Sequence, residues 1–176
     1  MQNSTRCNTY AILAAESKVS IEAHSTLPNP IRGTATGLSG TFSANVADGQ
    51  LALDPMPSMK LVVPVAKLSS GNEFQDREIR KLIADQRNPN LVGELLRVEP
   101  GTRPDLYRVR GAITVLGVKQ EYDGEATIRV DGRRISIQGS QKMDIRRFGI
   151  TPPRILTIQI YPDFDVSLNL VAELAS

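Results

Sequence analysis

From Val166 to Glu173 the chain alternates without interruption: Val166, Leu168, Leu170 and Ala172 on one parity, Ser167, Asn169, Val171 and Glu173 on the other. Successive side chains of a strand point to opposite faces, so this period marks a strand with one buried face. The period recurs. Val19, Ile21 and Ala23 oppose Lys18, Ser20, Glu22 and His24, and Tyr107, Val109, Gly111, Ile113 and Val115 share a parity within Leu106–Leu116. Turn residues divide the runs at Asp48-Gly49, Pro100-Gly101, Gly117 and Asp131-Gly132. The pattern predicts roughly eight or nine antiparallel strands. Open edges on runs this apolar invite aggregation, which favours a closed up-and-down barrel over a two-sheet sandwich.

Three runs are irregular. Thr34 to Val46, with Gly33, Gly37 and Gly40, reads as one bent, bulged strand of the kind a barrel corner needs. Met59 to Leu68 contains Pro64, which confines that position to an edge, a bulge or a strand end. The last run, Ile155 to Leu174, is expected to break at Pro162-Asp163.

One stretch departs from the strand period. Glu73 to Gln86 places Ile79, Leu82 and Ile83 at helical spacing, with Asp76 and Glu78 early and Arg80 and Lys81 later, as the helix dipole favours. A single helix among strands suits a lid over a barrel end, and equally a plug that only fills a core.

The 176 residues suffice for one domain, read as residues 10–176 after a frayed segment over residues 1–9. A net charge of +2 gives no nucleic-acid signal. Arg129, Arg133, Arg134, Arg146, Arg147 and Arg154 read as decoration of outer faces, or as a patch for an anionic head group. No run approaches the ~20 apolar residues of an integral membrane segment. Cys7 is single, so no internal disulfide forms. No basic-then-apolar leader precedes Tyr10, so the sequence as it stands predicts a cytoplasmic protein, or a periplasmic or extracellular one if the chain is a trimmed mature form.

Catalytic motifs are sparse. His24 is the single histidine, and a triad or a zinc site would have to use it. Gly37-Leu38-Ser39-Gly40-Thr41 lacks the closing glycine and the strand–turn–helix context of a nucleophile elbow. No phosphate loop, dinucleotide fingerprint or calcium loop is present. The expectation is a non-enzyme with no cofactor and no metal.

Several segments together resemble the YceI family of lipocalin-like, polyisoprenoid-binding proteins. Ser17-x-Val19-x-Ile21-x-x-His24 is similar to the family's first strand, and Gly33 to Phe42 to its glycine-rich second. Val63 to Asn72 followed by Asp76 to Arg80 resembles its strand-to-helix segment, with Lys67-Leu68 where a Ser–Leu pair is usual. Val109 to Val118 resembles its strand-and-turn motif, and Ile145 to Ile150 its phenylalanine–glycine signature at Phe148-Gly149. The likeness spans about Tyr10 to Glu173. It implies an all-β fold: an eight-stranded antiparallel lipocalin-like barrel with one helix near the mouth and a long apolar pocket. It also implies binding or transport of a polyisoprenoid or another long-chain amphiphile.

The alternating apolar set supplies the candidate lining: Val19, Ile21, Leu61, Val63, Val65, Val109, Ile113, Val115, Ile128, Ile137, Val166, Leu168 and Leu170. Phe148 is expected in the core or on the pocket wall, and His24 as a polar contact at the mouth or a structural hydrogen-bonding residue. Arg146 or Arg147 is expected to pair with Asp76 or Asp144. The rival reading is a filled barrel that acts as a structural protein through homodimerisation. A continuous tunnel of several hundred Å³ distinguishes the first from the second.

Overall fold

The computed structural model describes residues 6–176. Its strands are β1 (Asn8–Ile12), β2 (Lys18–Ser25), β3 (Ile31–Ala35), β4 (Ser39–Ala47), β5 (Gln50–Ala52), β6 (Ser58–Pro64) and β7 (Leu68–Ser69). The helix α1 (Glu73–Ile83) follows, and then β8 (Asn90–Pro100), β9 (Leu106–Val115), β10 (Val118–Asp131), β11 (Arg134–Asp144), β12 (Arg154–Ile155) and β13 (Ile158–Leu174). Of the segment expected to be frayed, residues 1–5 lie outside the described residues, while Asn8 and Thr9 already belong to β1.

Eight strands close a ring in the order β1-β4-β6-β8-β9-β10-β11-β13, with β13 returning to β1. Every pairing is antiparallel. Closure leaves no long unpaired edge, which answers the edge problem posed by such apolar runs. β13 makes closure possible by its length. It pairs with β11 from Asp163 to Glu173, with β2 from Ile160 to Asn169, and with β1 from Ala172 to Leu174. β1 and β2 thus lie end to end along one neighbour. The break between them is held by Ser17, whose buried Oγ accepts from Val171 N at 3.0 Å and donates to Val171 O at 3.3 Å.

β3 and β4 lie end to end in the same way, since β3 pairs with β2 while β4 pairs with β1. The expected single bent strand is therefore two strands, parted where Gly37 takes φ +68°. At Gly40 the β4 backbone approaches β6 so closely that a Cβ would collide with the Lys60 carbonyl oxygen. Pro64 ends β6, and a 3₁₀ turn over Val65–Lys67 separates it from β7. The expected break at Pro162-Asp163 does not occur. β13 runs through it, and the irregularity becomes a bulge, with the β2 register shifting between Ile160 and Phe164.

Asn72 starts α1: its Oδ1 accepts from Phe74 N and Gln75 N, both at 3.1 Å. The helix ends at Ile83, because Ala84 is already extended. It joins β7 to β8 and so crosses the barrel at that end. The opposite end is solid. Phe42, Ile135 and Leu170 are fully buried there, with Tyr10, Ala44, Val98 and Ala172 around them. The Tyr10 and Phe42 rings meet tilted at 58°, centroids 6.3 Å apart.

Candidate functional site

Under α1 the barrel is hollow. A cavity of about 180 Å³ lies between the helix and the inner faces of β2, β3, β6, β8, β9 and β13. One water needs only ~10–15 Å³, so this space exceeds a packing defect by more than tenfold. It is smaller than the expected tunnel of several hundred Å³, because the Phe42–Leu170 end is filled. The barrel is half cavity and half core.

Nine of the residues proposed from sequence surround it: Val19 and Ile21 from β2, Leu61 and Val63 from β6, Ile113 and Val115 from β9, Val166 and Leu168 from β13, and Phe148. Six do not. Val109, Ile128, Ile137 and Leu170 point inward but pack in the solid end. Val65 is buried in the 3₁₀ turn after Pro64, where its amide donates to Pro89 O. His24 sits on the opposite parity from Ile21 and Ala23 and faces outward.

The wall also contains residues that strand parity did not single out. Ile79, Leu82 and Ile83 present the apolar side of α1 to the cavity. The mouth adds Ile145, Ile150, Ile155, Ile160, Tyr161 and Phe164. Most of these lie on or beside the 3₁₀ turn Ile145–Phe148 and the β12–β13 hairpin, whose geometry has no simple sequence period. Their one sequence signal was the Phe148-Gly149 pair: Gly149 takes φ +75° and ends that turn. Glycines in the wall keep space open. A Cβ on Gly93 would stand 3.7 Å from Leu61 Cβ, in ordinary contact, on the cavity side.

The polar part of the wall is small and comes from one place, the start of α1: Ser70, Gln75, Asp76 and Glu78. Asp76 is 4% exposed, a buried carboxyl at the start of the helix. Its Oδ1 accepts from Ser70 N at 2.7 Å and from Ser70 Oγ at 2.5 Å. Burial pushes the carboxyl pKa up, but the Ser70 hydroxyl and amide, with the Arg80 charge, outweigh it and hold the pKa below its ordinary value. Arg80 directs Nη2 to the Leu68 carbonyl at 2.6 Å.

Several of the late arginines are paired, Arg129 with Asp105 and Arg134 with Glu16 and Glu173. Arg146 binds Asp144 with Nη2–Oδ2 at 2.6 Å, as one of the two expected pairings had it, and Asp76 takes no part. Arg147 lies 4.5 Å over the Tyr122 ring and bonds Gln120. On the outer wall, His24 Nε2 stands 3.5 Å from Asp165 Oδ2 and 4.0 Å from Glu22 Oε1. Among the described residues these three are the one group whose donor atoms could close on a metal ion. Arg32 Nε already donates to Glu22 Oε2 at 3.0 Å, which balances part of that charge.

Residues 10–172 match a family model described as a YceI-like domain. No curated protein matches the sequence. Several solved structures share the fold. BcnA of Burkholderia cenocepacia is 16% identical with a TM-score of 0.74, covering 91% of this chain and 98% of that one. A polyisoprenoid binding domain from Saccharophagus degradans, implicated in plant cell wall breakdown, is 13% identical with a TM-score of 0.72, covering 94% and 98%. The YCEI protein of Campylobacter jejuni is 13% identical with a TM-score of 0.68, covering 87% and 90%. At these identities the structures speak for the eight-stranded, helix-capped barrel, while the sequence match over nearly the whole chain speaks for descent: the protein belongs to the YceI-like domain family.

Proposed function

We propose that this protein binds a long-chain amphiphile of the polyisoprenoid class in the cavity beneath α1, and that it carries or sequesters that molecule without transforming it. The carrying observation is the wall itself: a hollow of about 180 Å³ lined mainly by aliphatic side chains of the barrel strands and of α1. Branched aliphatic walls suit a flexible prenyl chain better than a flat ring. Burying each CH₂ contributes roughly 0.8 kcal/mol. Two or three prenyl units therefore contribute about 8–12 kcal/mol gross, offset by several kcal/mol of lost motion. The Saccharophagus degradans domain of the same fold is described as polyisoprenoid-binding, which supports this class. His24, the one histidine of the chain, lies outside the cavity in an ion cluster, which supports a non-catalytic role.

The test is a series of prenyl alcohols of increasing length, titrated against an apolar fluorescent probe held in the cavity. Affinity is expected to rise with each added isoprene unit until the cavity is full. Affinity that does not depend on chain length contradicts the proposal.

A further inference from the structure

Every charged side chain that lines the cavity is acidic. Asp76 and Glu78 reach it, and among the described residues no lysine, arginine or histidine does. Asp76 is buried at the start of α1; both bonds from Ser70 fall on its Oδ1, and the Ser69 hydroxyl also bears on the carboxyl. A carboxylate offers about four lone-pair sites, so accepting capacity remains. Beside it Gln75, half-buried, offers an amide that both donates and accepts. The Ser70 hydroxyl already donates to Asp76. The Arg80 guanidinium stands near Asp76 but gives Nη2 to the Leu68 carbonyl, and Arg80 is not part of the wall.

We infer that the cavity selects amphiphiles whose head group donates hydrogen bonds and is uncharged or cationic (a hydroxyl, an amide or an ammonium) and that it rejects carboxylate and phosphate heads. The inference rests on the carrier reading above and adds the head-group chemistry to it. Two physical effects carry it. An ionised carboxylate only accepts hydrogen bonds, so it is matched by a donor. An anion brought beside it in a water-poor site meets like-charge repulsion that solvent screens poorly. The low pKa of Asp76 keeps its charge in place at neutral pH.

The experiment uses three ligands with one four-isoprene tail: geranylgeraniol, geranylgeranylamine and geranylgeranyl phosphate. Each displaces an apolar fluorescent probe from the full chain at neutral pH and low salt. The alcohol and the amine are expected to displace it at concentrations at least ~10-fold lower than the phosphate. In Asp76→Asn the amine weakens and the phosphate tightens, so the gap narrows. Because that variant disturbs a buried network, Glu78→Gln is measured beside it. Glu78 pairs with Lys81 at 3.5 Å, and its neutralisation should narrow the gap in the same direction. A phosphate that binds as tightly as the alcohol or tighter overturns the inference and leaves the carrier reading intact. It would point to the buried Arg80 Nε, which has no hydrogen-bond partner among the described residues. If none of the three displaces the probe, the carrier reading itself fails and this inference falls with it.

Discussion

Gly93 on β8 lies directly opposite Ile113 on β9, and both face the cavity. One position withholds a side chain where its neighbour extends one, so Gly93 marks a point where the wall recedes. Gly93→Val adds a Cβ in ordinary contact with Leu61 and should direct its two methyl groups toward the cavity. Ile113→Phe should fill the cavity from the other side. We expect both variants to fold with stability within about 1–1.5 kcal/mol of the parent, because the added volume enters a cavity rather than a packed core. Prenyl-alcohol affinity should fall by at least ~10-fold in both. Thermal melts with and without added ligand check the two halves of this expectation together.

The filled end should respond in the opposite sense. Leu170 is fully buried among Ile135, Phe42 and Ala172, away from the cavity. Leu170→Ala removes packed methyl groups and should cost about 2–5 kcal/mol. Ligand affinity should change little under conditions where the variant remains folded. Urea unfolding read by circular dichroism measures the loss.

Gly40 is held by close approach. A methyl there would press into the Lys60 carbonyl, and its φ of +145° disfavours any L side chain. Backbone on an adjacent strand cannot rotate aside as a side chain does. Gly40→Ala should therefore destabilise the β4–β6 pairing by several kcal/mol, about 2–4, detected as a lowered denaturation midpoint.

Acid should loosen the lid before it unfolds the barrel. Asp76 has a folded-state pKa below its unfolded value, so its contribution is complete above an unfolded carboxylate pKa of ~3.9 and is lost as pH falls through the folded value. Ser70→Ala removes one donor to Oδ1 and leaves the backbone donor. It should cost about 1.5–3 kcal/mol near neutral pH and less at acid pH, once the parent has lost the charge as well. Hydrogen exchange of the α1 amides as a function of pH follows this directly.

His24 separates this account from a catalytic one. The ring stands in a half-buried cluster on the outer wall with Glu22 and Asp165, where partly solvated pairs contribute about 0–1 kcal/mol. His24→Ala should change stability by no more than that and leave prenyl-alcohol binding unaltered in a displacement titration. Loss of a measurable turnover in that variant would contradict the non-catalytic reading.

What the sequence makes legible follows from what each period encodes. Strand parity reports inward against outward, so it correctly turned Val19, Ile21, Ile113 and Leu168 to the interior. It carries no information on height along the barrel. That height is fixed by register between strands far apart in sequence, such as Ile137 against Leu170 and Leu61 against Gly93. Hence Val109, Ile128, Ile137 and Leu170, inward by parity, fell in the filled end. Val65 was lost because Pro64 ends the strand one residue earlier. The helical period of Ile79, Leu82 and Ile83 gave both a helix and the face that meets the cavity. The burial of Asp76 was not readable, since it depends on Ser70 arriving from the preceding loop.

The central claim is that the hollow half of the barrel holds an amphiphile. Native mass spectrometry of the protein as purified from cells, released gently from detergent-free buffer, tests it most directly. The account predicts a bound lipid of several hundred daltons on the parent chain, and its absence from Leu168→Trp, whose indole would occupy the cavity beside Val166 and Val19. A parent chain that flies at its bare mass, and that still does so after incubation with geranylgeraniol, would contradict it.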